Sequence, residues 1–235
     1  MGTEMPDLSN KPAFPFKIVG FDLDGTLVDT SGDLTAAVNY TLGLAGRSPL
    51  AVETIKGMIG GGAKAMLQRG LDATGGCEVE EARRFYKLML DYYGVNIAVH
   101  SRPFPGMQAA LDELDALGVK VAVITNKFES FARKLLTELG LIDRFATLIG
   151  GDTMGPGRAK PAADPILEMI ARLGGGRAAF VGDSIYDIMA AKNAGVPSVA
   201  VSFGFLDRPV GELGADTVID GFEELVPVLR TLSAT

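Results

Sequence analysis

The chain reads as an α/β protein, a parallel sheet core with helices on both faces, interrupted by an inserted all-helical domain. Three observations predict this. Short apolar runs without polar alternation recur along the sequence, the pattern of strands buried on both faces. Segments of helical period separate them, and that alternation implies parallel strands joined by right-handed crossovers. One long stretch after the first run carries helical period alone.

Taken in order, residues 1–16 (MGTEMPDLSNKPAFPF) mix polar residues and prolines where a signal peptide needs an unbroken apolar stretch, and read as a flexible leader. KIVGF (17–21) is the first expected strand. From Ser31 to about Ser101 follow DLTAAVNYTLGLAG, AVETIKGMI, AKAMLQRGLDATGG and EVEEARRFYKLMLDYYG, all of helical period. Roughly 70 residues are too many for one crossover. They predict a separate lobe over 31–101, hinged at VDTSGD and SRPFPG, with the core formed by 17–30 and 102–235. Beyond it the expected strands are VKVAVIT (119–125), ATLIG (146–150), AAFVG (178–182), SVAVS (198–202) and DTVID (216–220). The helices between them are PGMQAALDELDALG, FESFARKLLTELG, PAADPILEMIARLG and SIYDIMAAKNAG, each closing on a glycine suited to the position after a helix end.

Composition narrows the function. A chain of 235 residues, 47% hydrophobic, builds a full core. Its net charge of −7 supplies no basic field for nucleic acid or an anionic membrane, and no apolar run reaches the ~18 residues of a membrane span. The expected partner is therefore a small molecule. Cys77 is the only cysteine, so no internal disulfide forms, which suits a cytoplasmic location.

In open parallel sheets, ligands bind beyond the carboxyl ends of the strands. Asp22 and Asp24 stand there, as do Thr125, Asn126 and Asp183, while Asp187 follows Asp183 by one helical turn. Like charges gathered in one crevice call for a cation, and hard oxygen donors with a single His and a single Cys in the chain favour Mg²⁺. Residues i and i+2 of an extended chain point to one side, so Asp22 suits a nucleophile and Asp24 a nearby proton donor. A calcium loop fails because Thr26 and Leu27 follow Gly25. Asp183 serves equally as a helix N-cap with Asp187 a solvated first-turn acid, and Lys160, before Pro161, is an ordinary loop residue on local grounds.

DLDGT (22–26), TN (125–126), KP (160–161) and GDSIYD (182–187) resemble, in order and spacing, the four motifs of the haloacid dehalogenase-like phosphatases. GMIGGGAKAMLQRGL, SRPFPGMQAALDEL, VITNKFESFARKLLTELG and LIGGDTMGPGRAKPAADP resemble the phosphoglycolate phosphatase branch. The resemblance covers Lys17 to Leu229 and implies a Rossmann-like core with the helical lobe as its cap. By it Asp22 is a phospho-aspartyl nucleophile, and Asp24 is the general acid and then the base. Thr125 and the Asn126 backbone hold phosphate oxygens, and Lys160 balances charge. Asp183, Asp22 and the Asp24 carbonyl hold Mg²⁺, with Asp187 in or beside that shell.

Within the lobe, GGGAK (60–64) fits neither a dinucleotide fingerprint, since no strand precedes it, nor a Walker loop, since Ala63 follows Gly62. Gly61, Gly62 and Lys64 remain either a glycine nest offered to an anionic substrate group or a plain turn. His100 and Cys77 receive no catalytic role, and Tyr92 and Tyr93 read as helix packing, one of them open to the interlobe cleft. The expected activity is Mg²⁺-dependent hydrolysis of a small phosphorylated metabolite, 2-phosphoglycolate foremost, by a monomer or homodimer. A sugar-phosphate or pyrophosphate phosphatase, a phosphomutase and a non-catalytic Mg²⁺-dependent binding domain are the alternatives.

Overall fold

The computed structural model describes residues 13–232, so residues 1–12 of the expected leader lie outside the described residues. The expected leader boundary at residue 16 moves, because Phe16 is buried in the core with the Arg177 guanidinium over its ring. An apolar ring beside the first strand is worth more packed than solvated.

All six expected strands form one parallel sheet. In chain order they are β1 (Ile18–Phe21), β4 (Lys120–Ile124), β5 (Thr147–Ile149), β6 (Ala178–Gly182), β7 (Ser198–Val201) and β8 (Thr217–Ile219), and they lie side by side as β5-β4-β1-β6-β7-β8. Strand β1 is central to the site. Phe21 sits level with Val123 on one side and Val181 on the other, so the residues just past β1, β4 and β6 emerge together at one edge. This is also where the chain turns outward in both directions, the switch point at which open α/β sheets bind ligands.

Alternate strand residues feed two cores. Val19, Phe21, Val121, Val123 and Val181 face α5 (Met107–Ala116), α6 (Glu129–Glu138) and α9 (Leu225–Thr231). Ile18, Ala122, Ile124 and Phe180 face α7 (Asp164–Arg172) and α8 (Ile185–Ala194). The two-residue period of a strand thus covers both faces with helices.

The inserted segment folds as α1 (Ser31–Leu44), α2 (Val52–Lys56), α3 (Ala63–Asp72) and α4 (Val79–Val95). Val38, Leu42, Met66, Leu67, Leu71, Phe85 and Met89 join these helices to the larger core. The two expected hinge stretches do more than connect. Val28–Asp29 (β2) pairs antiparallel with Arg102–Pro103 (β3), a two-residue ladder too short to leave a periodic signal. The Asp33 carboxylate, buried, accepts hydrogen bonds from the His100 and Ser101 amides and from the Ser101 hydroxyl. Among the described residues no helix is long and apolar enough to cross a membrane.

Candidate active site

Asp22 leaves the end of β1 into a tight turn, where the Gly25 amide donates to the Val28 carbonyl. Gly25 has φ +87, and a Cβ built there would stand 2.2 Å from Asp183 Oδ2. The glycine of DLDGT is therefore fixed twice, by backbone conformation and by the approach of a second acid. Gly182 is fixed by contact alone, since its Cβ would lie 2.3 Å from the Asp187 Cβ.

The structure brings Asp22, Asp183 and Asp187 together, with one carboxylate oxygen from each within 4.8 Å of the others, all buried. Lys160 enters from the loop before α7. Its ammonium lies 2.7 Å from Asp22 Oδ1 and 2.6 Å from Asp187 Oδ1. The contact to Asp22 is one of charge, without hydrogen-bond alignment at that oxygen. Asp183 is held by the Phe205 amide at 2.7 Å and the Thr26 hydroxyl at 3.3 Å.

Asp187 differs from a solvated first-turn acid. It is fully buried, and its Oδ2 closes a capping box with the amide and hydroxyl of Ser184, which caps α8 in place of Asp183. With Oδ1 on Lys160, both Asp187 oxygens are engaged. Its place is beside the acids, holding the lysine.

Asp24 stands apart from that cluster. Its carboxylate accepts from the Thr30 hydroxyl at 2.7 Å and from the Lys127 ammonium at 2.8 and 2.9 Å. Lys127 and Thr30 carry no site role in the sequence reading, and Thr26 enters it only as part of DLDGT. Lys127 had a signal, since it follows TN directly at the end of β4, but its partner lies 103 positions away.

Electrostatics follow from crowding in a dry place. Burial pushes the Asp22 carboxyl up to about 7, with Lys160 pulling it down and Asp187 adding to the rise. Burial, then Asp187 and Asp22, hold Asp183 well above the ordinary carboxylate range. Burial works against the Lys160 charge, yet Asp187 and Asp22 outweigh it and its pKa is raised. One ammonium thus leaves the three acids short of positive charge. A donor set made only of carboxylate and carbonyl oxygens suits a hard divalent cation, so the residues present fit a metal.

Thr125 and Asn126 sit at the same edge, facing a cavity of about 310 Å³. Thr125 Oγ1 accepts from the Lys127 amide, and the Asn126 side chain donates to the carbonyls of Lys160 and of Gly60 in the helical lobe. The lobe supplies the opposite wall, including Gly61, Gly62, Lys64, Met66, Met89 and Tyr93. Gly62 is the residue before α3, so the glycine run opens a helix toward the cavity.

Known proteins resemble this chain over nearly its whole length. The model of the haloacid dehalogenase-like hydrolases matches residues 19–201. A phosphoglycolate phosphatase of Agrobacterium fabrum is 42% identical over 226 residues, 94% of this chain and 95% of its own. One from Caulobacter vibrioides is 41% identical over 217 residues, 91% of each chain. A crystal structure of a predicted phosphoglycolate phosphatase from Haemophilus somnus, 30% identical, superposes with a TM-score of 0.85 over 91% of this chain and 98% of that one. With the four motifs gathered at one sheet edge and relatives alike over nearly their full length, the chain belongs to the haloacid dehalogenase-like hydrolases, on their phosphoglycolate phosphatase-like branch.

Proposed function

We propose that this chain hydrolyses a small phosphate monoester, 2-phosphoglycolate first among them, through an aspartyl-phosphate on Asp22. The observation that carries the reading is Asp22 itself, at the end of the central strand, ion-paired to Lys160 and open to a cavity that Asp24, Thr125 and Asn126 share. An Asp22 oxygen attacks phosphorus, the ester P–O bond breaks, and the departing oxygen takes a proton from Asp24. Asp24, now a carboxylate, takes a proton from the water that attacks the phospho-aspartate, releasing phosphate and restoring Asp22. Thr125 and the Asn126 amide hold phosphoryl oxygens, and Lys160 offsets charge on Asp22 and the transferring group.

Asp22, Asp183 and the Asp24 carbonyl are the residues that would hold Mg²⁺, with Asp187 beside them. The ion would offset the repulsion between a carboxylate nucleophile and a phosphate dianion. The helical lobe, 31–101, acts as a cap over the site. Gly61, Gly62 and Lys64 are the groups that would meet the far carboxylate of 2-phosphoglycolate. The protein on this reading is cytoplasmic, a monomer or homodimer, and meets its substrate free in solution.

The test is phosphate release from a panel of monoesters, with Mg²⁺ or EDTA, for the wild type and Asp22→Asn. Turnover of 2-phosphoglycolate that needs Mg²⁺ and is lost in the variant is expected. Turnover of other esters alone would sink the substrate, and undiminished activity in Asp22→Asn would sink the mechanism.

A further inference from the structure

The ion pairs divide the site into two halves. Lys160 is committed to Asp22 and Asp187. Lys127 alone, among the described residues, forms an ion pair with Asp24, and it grips both carboxylate oxygens. The pair is secluded, with side-chain exposures of 6% for Lys127 and 13% for Asp24. Behind the ammonium lies the ring of Tyr93, its centroid 4.8 Å from Nζ. Tyr93 is buried and belongs to α4 of the helical lobe, whereas Lys127 and Asp24 belong to the core.

We propose that Lys127 is the positioning residue for Asp24, fixing the carboxyl group for proton transfer, and that Tyr93 of the lobe fixes Lys127 in turn. A proton donor acts only when held within a few tenths of an ångström of its working geometry, by groups whose own conformations are locked. Thr30 and Lys127 both donate to Oδ1, so the group keeps its orientation when Oδ2 gives up its contact to Lys127 and carries the proton to be transferred. An ammonium over an aromatic face in a dry site is held by the ring quadrupole as well. The orientation of Asp24 therefore depends on the lobe being docked. No sequence pattern announces this, since the chain of contacts joins residues from β1's turn, the end of β4 and α4.

The inference rests on the reading of Asp24 as proton donor, and the test separates the two. kcat/KM is measured for 2-phosphoglycolate, or the best alkyl ester of the panel, and for p-nitrophenyl phosphate. It reports the step that forms the phospho-enzyme. The alkoxide leaving group needs a proton, whereas p-nitrophenolate leaves as a stable anion. Asp24→Asn should depress the alkyl ester by about 10²-fold or more and the aryl ester far less. Lys127→Met should reproduce that imbalance, with a loss of about 10²-fold against less than about 5-fold. Lys127→Arg, which keeps the charge and the paired donors, should recover most of the alkyl activity. Tyr93→Leu should shift the ratio of the two esters the same way by a smaller factor. In an Asp24→Asn background, Lys127→Met should leave the ratio where Asp24→Asn put it.

If Asp24→Asn shows the imbalance and Lys127→Met lowers both esters equally, or neither, Lys127 is only a structural ion-pair partner. Should Asp24→Asn fail to separate the esters, the assignment of Asp24 falls and this inference falls with it. Were Lys127→Met not to fold, an ester ratio in Tyr93→Leu unchanged from wild type would overturn the proposal.

Discussion

Asp22 carries the most consequential single property of the site, a carboxyl pushed up to about 7 by burial. In the unfolded chain the same group titrates near 4. Between these values the metal-free folded protein binds a proton that the unfolded chain does not. Stability is therefore fullest at the acid end and falls as pH rises from about 4 to about 7, by a few kcal/mol as a ceiling. Asp183, also raised, adds to the same slope. Mg²⁺ needs the deprotonated acids and binds the folded state, so it should raise stability most at the upper end of that window. The check is denaturant unfolding at several pH values with EDTA or excess Mg²⁺. A falling slope in EDTA that Mg²⁺ flattens, and that Asp22→Asn weakens, is expected; identical slopes in EDTA and Mg²⁺ would remove the metal from these acids.

At the scale of elements, the two connections to the helical lobe are tied to each other. β2 and β3 pair, and the Phe104 amide extends the ladder to the Leu27 carbonyl. Asp33, in the first turn of α1, gathers amides of His100 and Ser101 from the returning strand. A buried carboxylate with three such donors is the anchor of the crossing. Asp33→Ala would leave the His100 and Ser101 amides without their acceptor, while the Ser101 hydroxyl keeps the Ile97 carbonyl, at about 1–3 kcal/mol for each group left unmatched and about 2 kcal/mol or more in all. The expected result is a lower urea midpoint with unchanged motif geometry, and Asp33→Asn, which keeps part of the acceptor set, should lose less. A midpoint within about 0.5 kcal/mol of wild type in Asp33→Ala would remove Asp33 from this role.

Across the whole molecule, the glycine run is one of the places where lobe and core meet. The Asn126 side chain donates from Nδ2 to the Gly60 carbonyl, and a Cβ at Gly61 would sit 3.2 Å from the Tyr186 hydroxyl. Tyr186 lies between Ser184 and Asp187, so the lobe rests on the same turn that holds the acid cluster. Apolar side chains of the lobe also pack into the larger core, so motion of the lobe would be a tightening of the cleft at this run rather than a wide separation. Amide hydrogen exchange at residues 59–64 should slow about 10-fold or more when Mg²⁺ and a phosphate mimic such as vanadate are both present. Unchanged exchange there would mean that the lobe does not respond to the site.

Much of this was legible in the residues. Short apolar runs alternating with helical segments mark strands covered by helices, so the six strands and the helices between them follow from pattern, and the long helical insert stands out by length. Asp22, Thr125 and Asp183 could be placed at strand ends, and three neighbouring strands bring them to one edge. Local pattern also specifies Gly25, because a turn after β1 demands it. What pattern could not state is which strand lies beside which, and every contact that depends on that order. Lys127 meets Asp24 across 103 residues and Lys160 meets Asp187 across 27, and each pairing exists only once the sheet order is set. The burial that turns Asp187 from a solvated acid into the holder of Lys160, and the two-residue ladder of β2 and β3, have the same origin. Hydrophobic period is a property of consecutive residues and survives in sequence, whereas the partner of a buried charge is decided by the neighbours that packing brings to it.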